Sequence, residues 1–174
     1  MKRTLWTLFF LLAVTGIQPG CVTSSMTLDP KRSLGPSPDF DSMRPFRDLL
    51  KKEPGTFNYE RARINYLLER VTKSPYNLIR NGRRYTGKRG ANHLRWKYFF
   101  RTPKHLRTAE EFIGESATYS RNSGKPYLVE FPDKQKAPLD FILTQELRRL
   151  DQELEERRAL QTAEQNEAKN QTAE

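Results

Sequence analysis

Between residues 58 and 154 the apolar positions recur at spacings that predict a succession of short elements. Ile64, Leu67, Leu68 and Val71 fall at i, i+3, i+4 and i+7, one buried face of a helix, with Asn58 placed to cap it and Glu60 in its first turn. In the stretch Tyr76 to Thr86, two short runs of strand character flank Asn81-Gly82. That pair is preferred in a two-residue type I′ turn, which needs positive φ twice, so a β-hairpin is predicted. Thr86 is placed to cap a second helix through Ala91, Leu94 and Tyr98, with Gly87 and Gly90 weakening its first turn. Thr108 with Glu111 three residues later forms a capping box for a short helix that buries Phe112, Ile113 and Ala117. Ser123-Gly124-Lys125-Pro126 breaks the chain before a third strand, Tyr127 to Phe131, rich in β-branched and aromatic residues. From Pro138 a last helix carries Leu139, Ile142, Leu143, Leu147, Leu150 and Leu154. Its continuation from Asp151 to Arg158 is charged all round, and is expected to project beyond the core or meet a partner helix. The fold class expected is α+β: three to four helices packed on a small antiparallel sheet of a hairpin plus one strand.

The two ends read differently. Lys2 and Arg3 precede about ten apolar residues, the pattern of a signal peptide and too short for a membrane-spanning helix, which needs roughly 20. Cys21 follows Gly20 where signal peptidase II would leave a lipid-modified N-terminus. The site resembles a bacterial lipobox, although Gln18 and Pro19 stand where Leu and a small residue are usual. Pro30, Pro36, Pro38 and Pro45 lie among balanced charges and no apolar period, which predicts a tether. The last residues repeat Gln-Thr-Ala-Glu at 161 and 171 and predict a solvated or disordered tail. The organisation expected is a signal peptide over 1–20, a lipid-attachment Cys and Pro-rich tether over 21–53, a folded domain over 54–158, and a polar tail over 159–174.

Composition narrows the chemistry. The 174 residues hold 31 basic and 21 acidic side chains, a net charge of +10. Residues 51–140 alone carry 20 basic against nine acidic, while residues 141–174 are net negative. One cysteine and two histidines exclude intrachain disulfides, zinc fingers and iron–sulfur ligation, so neither metal nor cofactor is expected. From Lys73 through Arg107 there are eleven basic residues and no acid, interleaved with Tyr76, Tyr85, Trp96, Tyr98, Phe99 and Phe100. Such interleaving suits nucleic acid. In an exported protein, however, the abundant polyanions are lipid headgroups and cell-wall polymers, and no nucleic-acid partner is expected. The candidate anion- or partner-binding residues are Arg80, Arg83, Arg84, Lys88, Arg89 and Lys125, against the plainer alternative of a solvated basic face with its aromatics in the core. Gly82 to Arg89 follows the spacing of a phosphate-binding P-loop, but Arg89 replaces its final Ser or Thr. His93 is the one titratable residue with catalytic potential; paired with Ser120 or Ser123 and an acid such as Glu110, it could be written as a small hydrolase.

The order Ala62-Arg63-Ile64-Asn65, Arg80-Asn81-Gly82, His93-Leu94-Arg95-Trp96-Lys97, Thr108 to Ile113 and Ser123 to Val129 is similar to the YfeK-like family, small exported bacterial proteins with a domain of unknown function. The resemblance spans residues 59 to 150. It implies a periplasmic or envelope location and no assigned activity, and carries no catalytic residue over. The chain departs from the family at Lys88 and Arg89, cations where acids are expected and where the helix dipole disfavours them. The function expected is a non-catalytic binding or structural module of the cell envelope, an outer-membrane lipoprotein facing the periplasm, or soluble there if Cys21 is not acylated. Its expected partners are the membrane, through the lipid, and an anionic envelope component or envelope protein.

Overall fold

The structure is a computed structural model that describes residues 26, 28–101 and 108–171. The segment read as a signal peptide and Cys21 lie outside the described residues. The elements run α1 (Arg44–Leu50), α2 (Phe57–Lys73), β1 (Asn77–Arg80), β2 (Arg83–Tyr85), α3 (Gly87–Arg101), α4 (Ala109–Phe112), a π-helical turn (Ile113–Ala117), β3 (Leu128–Glu130), β4 (Lys136–Pro138) and α5 (Leu139–Gln171). The sheet is antiparallel throughout, in the order β2-β1-β3-β4. The α+β class is as the sequence predicts. Among the described residues no helix is long and apolar enough to cross a membrane.

The hairpin forms as its turn residues dictate, Asn81 at φ 52° and Gly82 at φ 77°. Strand alternation then sorts the side chains. Leu78, Val129 and Ala137 sit opposite one another across three strands, are buried, and form the floor on which the helices pack. The capping box is complete: Glu111 N–H donates to the Thr108 hydroxyl at 3.1 Å, and Thr108 N–H donates to the Glu111 carboxylate at 2.8 Å.

Several expectations are corrected. The cap of α2 is Thr56, whose hydroxyl accepts from Tyr59 N–H, and Asn58 lies inside the first turn. Gly87 and Gly90 are contact points: a Cβ on Gly87 would stand 2.2 Å from the Val71 carbonyl, and one on Gly90 2.1 Å from Leu78. Their lack of a side chain lets α3 cross the end of α2 and lie close on the sheet, at a cost in helix propensity. A fourth strand exists at Lys136–Pro138, too short to show a period, with its proline tolerated at a sheet edge. Pro138 therefore ends a strand, and α5 starts one residue later.

The segment read as a tether is instead part of the core. Leu34, Met43, Phe46 and Leu49 are all buried, because α1 lies on α2 and the run before it crosses to α5. The charged stretch of α5 turns back onto the same segment: Arg157 binds Asp41 at 3.0 and 3.1 Å, and Arg158 donates to the Leu49 and Lys52 carbonyls. Of the solvated or disordered tail expected, the solvated form is found: α5 continues as a helix to Gln171, exposed over residues 159–169.

Two ionic clusters hold these parts in place. The Glu146 carboxylate, 0% exposed, accepts from Arg70 at 2.8 and 3.3 Å and from Leu34 N–H at 3.1 Å, while Arg70 also donates to the Pro36 carbonyl. The Arg63 guanidinium bonds Glu60, Glu110 and Asp151 together, and Glu60 accepts from Ala109 N–H. A buried charge is tolerated when every oxygen has a donor, and is expensive once one partner goes. Replacing Arg70→Met is expected to destabilise the fold by about 3–5 kcal/mol, and Phe46→Ala by about 3–5 kcal/mol. Urea denaturation measures both; a loss below about 1 kcal/mol for Phe46→Ala would return residues 44–50 to the role of a tether.

Candidate functional site

Arg89, His93, Lys97 and Arg101 recur every four residues and share one face of α3. Facing them are Arg80, on the same side of β1 as buried Leu78, and Tyr127, on the same side as Val129. The loop after the π-helical turn adds Ser120, Arg121 and Asn122. These elements enclose two cavities. One, of about 180 Å³, is lined by Arg80, His93, Trp96, Lys97, Arg101, Ser120, Arg121, Asn122 and Tyr127. The other, of about 200 Å³, is mainly apolar and lies between Leu78, Ile79, Leu94 and Leu139, with Tyr85 and Arg89 beside them. Arg80, His93 and Tyr127 line both.

The polar cavity is held by specific contacts. His93 Nε2 and the Tyr127 hydroxyl are 3.2 Å apart, and the Tyr127 ring meets the His93 ring edge-on at 6.0 Å. Lys97, only 3% exposed, donates from Nζ to the Ser116 carbonyl at 3.2 Å and to the Tyr119 carbonyl at 2.8 Å. The wide π-helical turn ends beside it and supplies the first of these acceptors. Arg101 lies over the Trp96 ring at 5.2 Å. Trp96, Phe99 and Phe100 are exposed rather than turned into the core.

The electrostatics are one-sided. Four cations, Arg80, Lys97, Arg101 and Arg121, line the polar cavity and no carboxylate among the described residues does, although Glu115 pairs with Arg121 at 3.7 Å from outside the lining. Arg80 Nε is buried without a hydrogen-bond partner, and the hairpin sets Arg80 directly opposite Arg83, a repulsive cross-strand pair. Burial, reinforced by Arg121 and Arg80 and opposed by Glu115, pushes Lys97 down to about 8. Burial and the charges of Arg80 and Lys97 lower His93 below its ordinary value. Burial raises the Tyr127 phenol, partly countered by Arg80 and Ser120. The site therefore disfavours further positive charge, and its cations favour negative charge, although at the Tyr127 phenol burial outweighs them.

Of the residues predicted from sequence, the fold brings together Arg80, Arg89 and His93. Arg89 borders the apolar cavity with its guanidinium 5.6 Å from the Tyr85 ring centroid. Arg84 is removed from the set: it is neutralised by Glu130 at 2.5 and 2.8 Å on the other face of the sheet. Arg83, Lys88 and Lys125 are exposed and line neither cavity. The residues of the hydrolase reading are dispersed. Ser123 donates to Asn81 at 2.6 Å, Glu110 belongs to Arg63, and Ser120 shares the cavity with His93 while His93 bonds Tyr127. The P-loop spacing dissolves into a hairpin turn at Gly82 and a helix start at Gly87.

Sequence reasoning missed Lys97, Arg101, Arg121 and Tyr127 as site residues. The four-residue spacing from Arg89 to Arg101 was a usable signal for two of them, and the parity of Tyr127 with Val129 for another. Arg121 carries no local signal, because a loop brings it in.

Residues 58–151 match the family described as Family of unknown function (DUF5329). The chain belongs to that family. The DUF5329 span contains the whole sheet, α3 and every residue lining either cavity, and closes on Asp151, a partner of Arg63. Helix α1 precedes the span and the arginines of α5 that bind its segment follow it. No curated protein and no solved structure matches the chain.

Lys97 gives this DUF5329 domain a pH signature. The folded form releases the Lys97 proton near pH 8 and the unfolded chain near its ordinary value of 10.5, so across that window the unfolded state binds more protons. Stability contributed by Lys97 therefore rises with pH from about 8 to 10.5. Denaturation midpoints compared with Lys97→Met are expected to show this rise in the wild type alone; equal slopes would refute a depressed Lys97.

Proposed function

We propose that this protein is an exported component of the bacterial cell envelope, held to the membrane by a lipid on Cys21, whose domain binds an anionic group without catalysing its conversion. The observation that carries the binding reading is the cavity lined by Arg80, Lys97, Arg101 and Arg121 with no carboxylate among the described residues, and with Arg80 Nε buried and unpartnered. Guanidinium groups suit phosphate and carboxylate oxygens because they offer parallel N–H donors at fixed spacing. Export is supported by the basic start and apolar run before Cys21 and by the likeness to the YfeK-like family. In that compartment the anions at hand are lipid headgroups, lipopolysaccharide and cell-wall polymers, or an acidic patch on an envelope protein.

The His93–Tyr127 hydrogen bond supports a binding role for His93: it fixes the ring at the junction of the two cavities. Inorganic phosphate is a suitable first probe. Calorimetric titration of the full chain is expected to show binding that weakens with added salt and weakens again as pH rises through about 8, where Lys97 loses its charge. Arg80→Ala should lower the affinity roughly ten- to a hundredfold, the range for losing charge-assisted hydrogen bonds; an unchanged affinity would remove the cavity as the site. Metabolic palmitate labelling is expected in the wild type and absent in Cys21→Ala, and equal labelling of the two would exclude the lipid anchor.

A further inference from the structure

The anion cavity does not stand alone. Arg80, His93 and Tyr127 form a shared wall, and behind it lies the second space of about 200 Å³ between Leu78, Leu94 and Leu139. An apolar cavity of about 150 Å³ is known to stay dry and to admit a benzene ring. The space here therefore seats a group of about six carbons and is too small for a long acyl chain. Water gains less there than in the first cavity: Leu78, Ile79, Leu94 and Leu139 line it, and of its polar groups Arg80, His93 and Tyr127 stand at the junction, with Arg89 and Tyr85 beside the apolar part.

We infer that the ligand is an anionic amphiphile, an oxyanion seated among the cations of the first cavity and joined to a compact apolar group of about six carbons that enters the second. The inference rests on the anion-binding reading above and adds the ligand's other half. A purely inorganic ion would leave the apolar cavity without a role. A neutral apolar molecule would make no use of the guanidinium groups of Arg80 and Arg101 that line the first cavity beside Arg121, whose own counterion is Glu115 at 3.7 Å. Only a ligand with both parts satisfies both cavities through their common wall. Arg89, beside the apolar space and stacked on Tyr85, adds a second cation at that end, so the chemistry excluded most strongly is a cationic amphiphile.

The test is a chain-length series on the full chain: inorganic, methyl, butyl and hexyl phosphate, with hexanoate and 1-hexanol beside them, measured by calorimetry. Affinity is expected to rise about three- to fourfold per methylene through hexyl phosphate, the increment for burying a CH₂ group. Hexanoate should follow at lower affinity and 1-hexanol should not bind. The variant Leu94→Phe, which adds bulk at the wall of the second cavity, should narrow the gap between hexyl and inorganic phosphate; should it fail to fold, the wild-type series decides. Vesicles containing phosphatidylglycerol should leave hexyl phosphate bound, because a long acyl chain exceeds the second cavity; displacement by them would overturn the compact apolar group. Equal affinity for inorganic and hexyl phosphate overturns it while the anion reading survives. Binding of 1-hexanol as tight as hexyl phosphate overturns it too. Binding of no anion at all overturns the anion reading itself.

Discussion

The buried pairing of Arg70 with Glu146 joins three parts of the chain that have little else in common: α2, α5 and the run through Leu34 and Pro36. A carboxylate with no exposed surface is stable only if its oxygens are all supplied with donors, so the backbone of residues 34 to 36 must return to that point. The Arg63 fork does the same for α2, α4 and α5 through Glu60, Glu110 and Asp151. Together these pairs fix the helical frame. They also fix where the acids are. With Glu130 held by Arg84, the carboxylates nearest the core already have arginine partners, and the face of α3 that meets the sheet is left to cations.

That segregation accounts for the character of the site. Lys97 is carried into the wall by α3 and tolerated there because the Ser116 and Tyr119 carbonyls receive its protons. Carbonyl dipoles satisfy hydrogen bonds without cancelling a full charge, so burial first, and then Arg121 and Arg80 against the opposing Glu115, leave the Lys97 ammonium easily deprotonated. His93 and Tyr127 hold each other in register at the point where a polar space gives way to an apolar one. A site with this field and this division is suited to bind and orient a ligand with one charged end.

Much of the frame was legible in the sequence because its signals are local. Asn81-Gly82, the Thr108–Glu111 box and the leucine period of α5 each state their geometry within a few residues. The segment before α1 was misread for the opposite reason. Met43, Phe46 and Leu49 do recur at a helix-face spacing, but over too few residues to stand out among the prolines and charges, and the burial of Leu34 depends on partners far along the chain, such as Glu146. The site was half legible. A run of cations without acids marked the right region, but charge counting ranks every arginine alike. It could not separate Arg84, neutralised across the sheet by Glu130, from Arg80, one pleat away and facing α3. Arg121 enters from a loop 41 positions beyond Arg80 and has no signature at all.

The central claim is that the buried, carboxylate-free cluster around Arg80, rather than the exposed cations of the hairpin and loops, is where an anion is held. Its most direct test follows the arginine side-chain N–H resonances of the full chain by NMR while inorganic phosphate is added. The account predicts a saturable shift centred on Arg80 Nε–H, accompanied by the His93 ring. Shifts confined to exposed arginines such as Arg83, growing linearly with phosphate and leaving Arg80 unmoved, would contradict it.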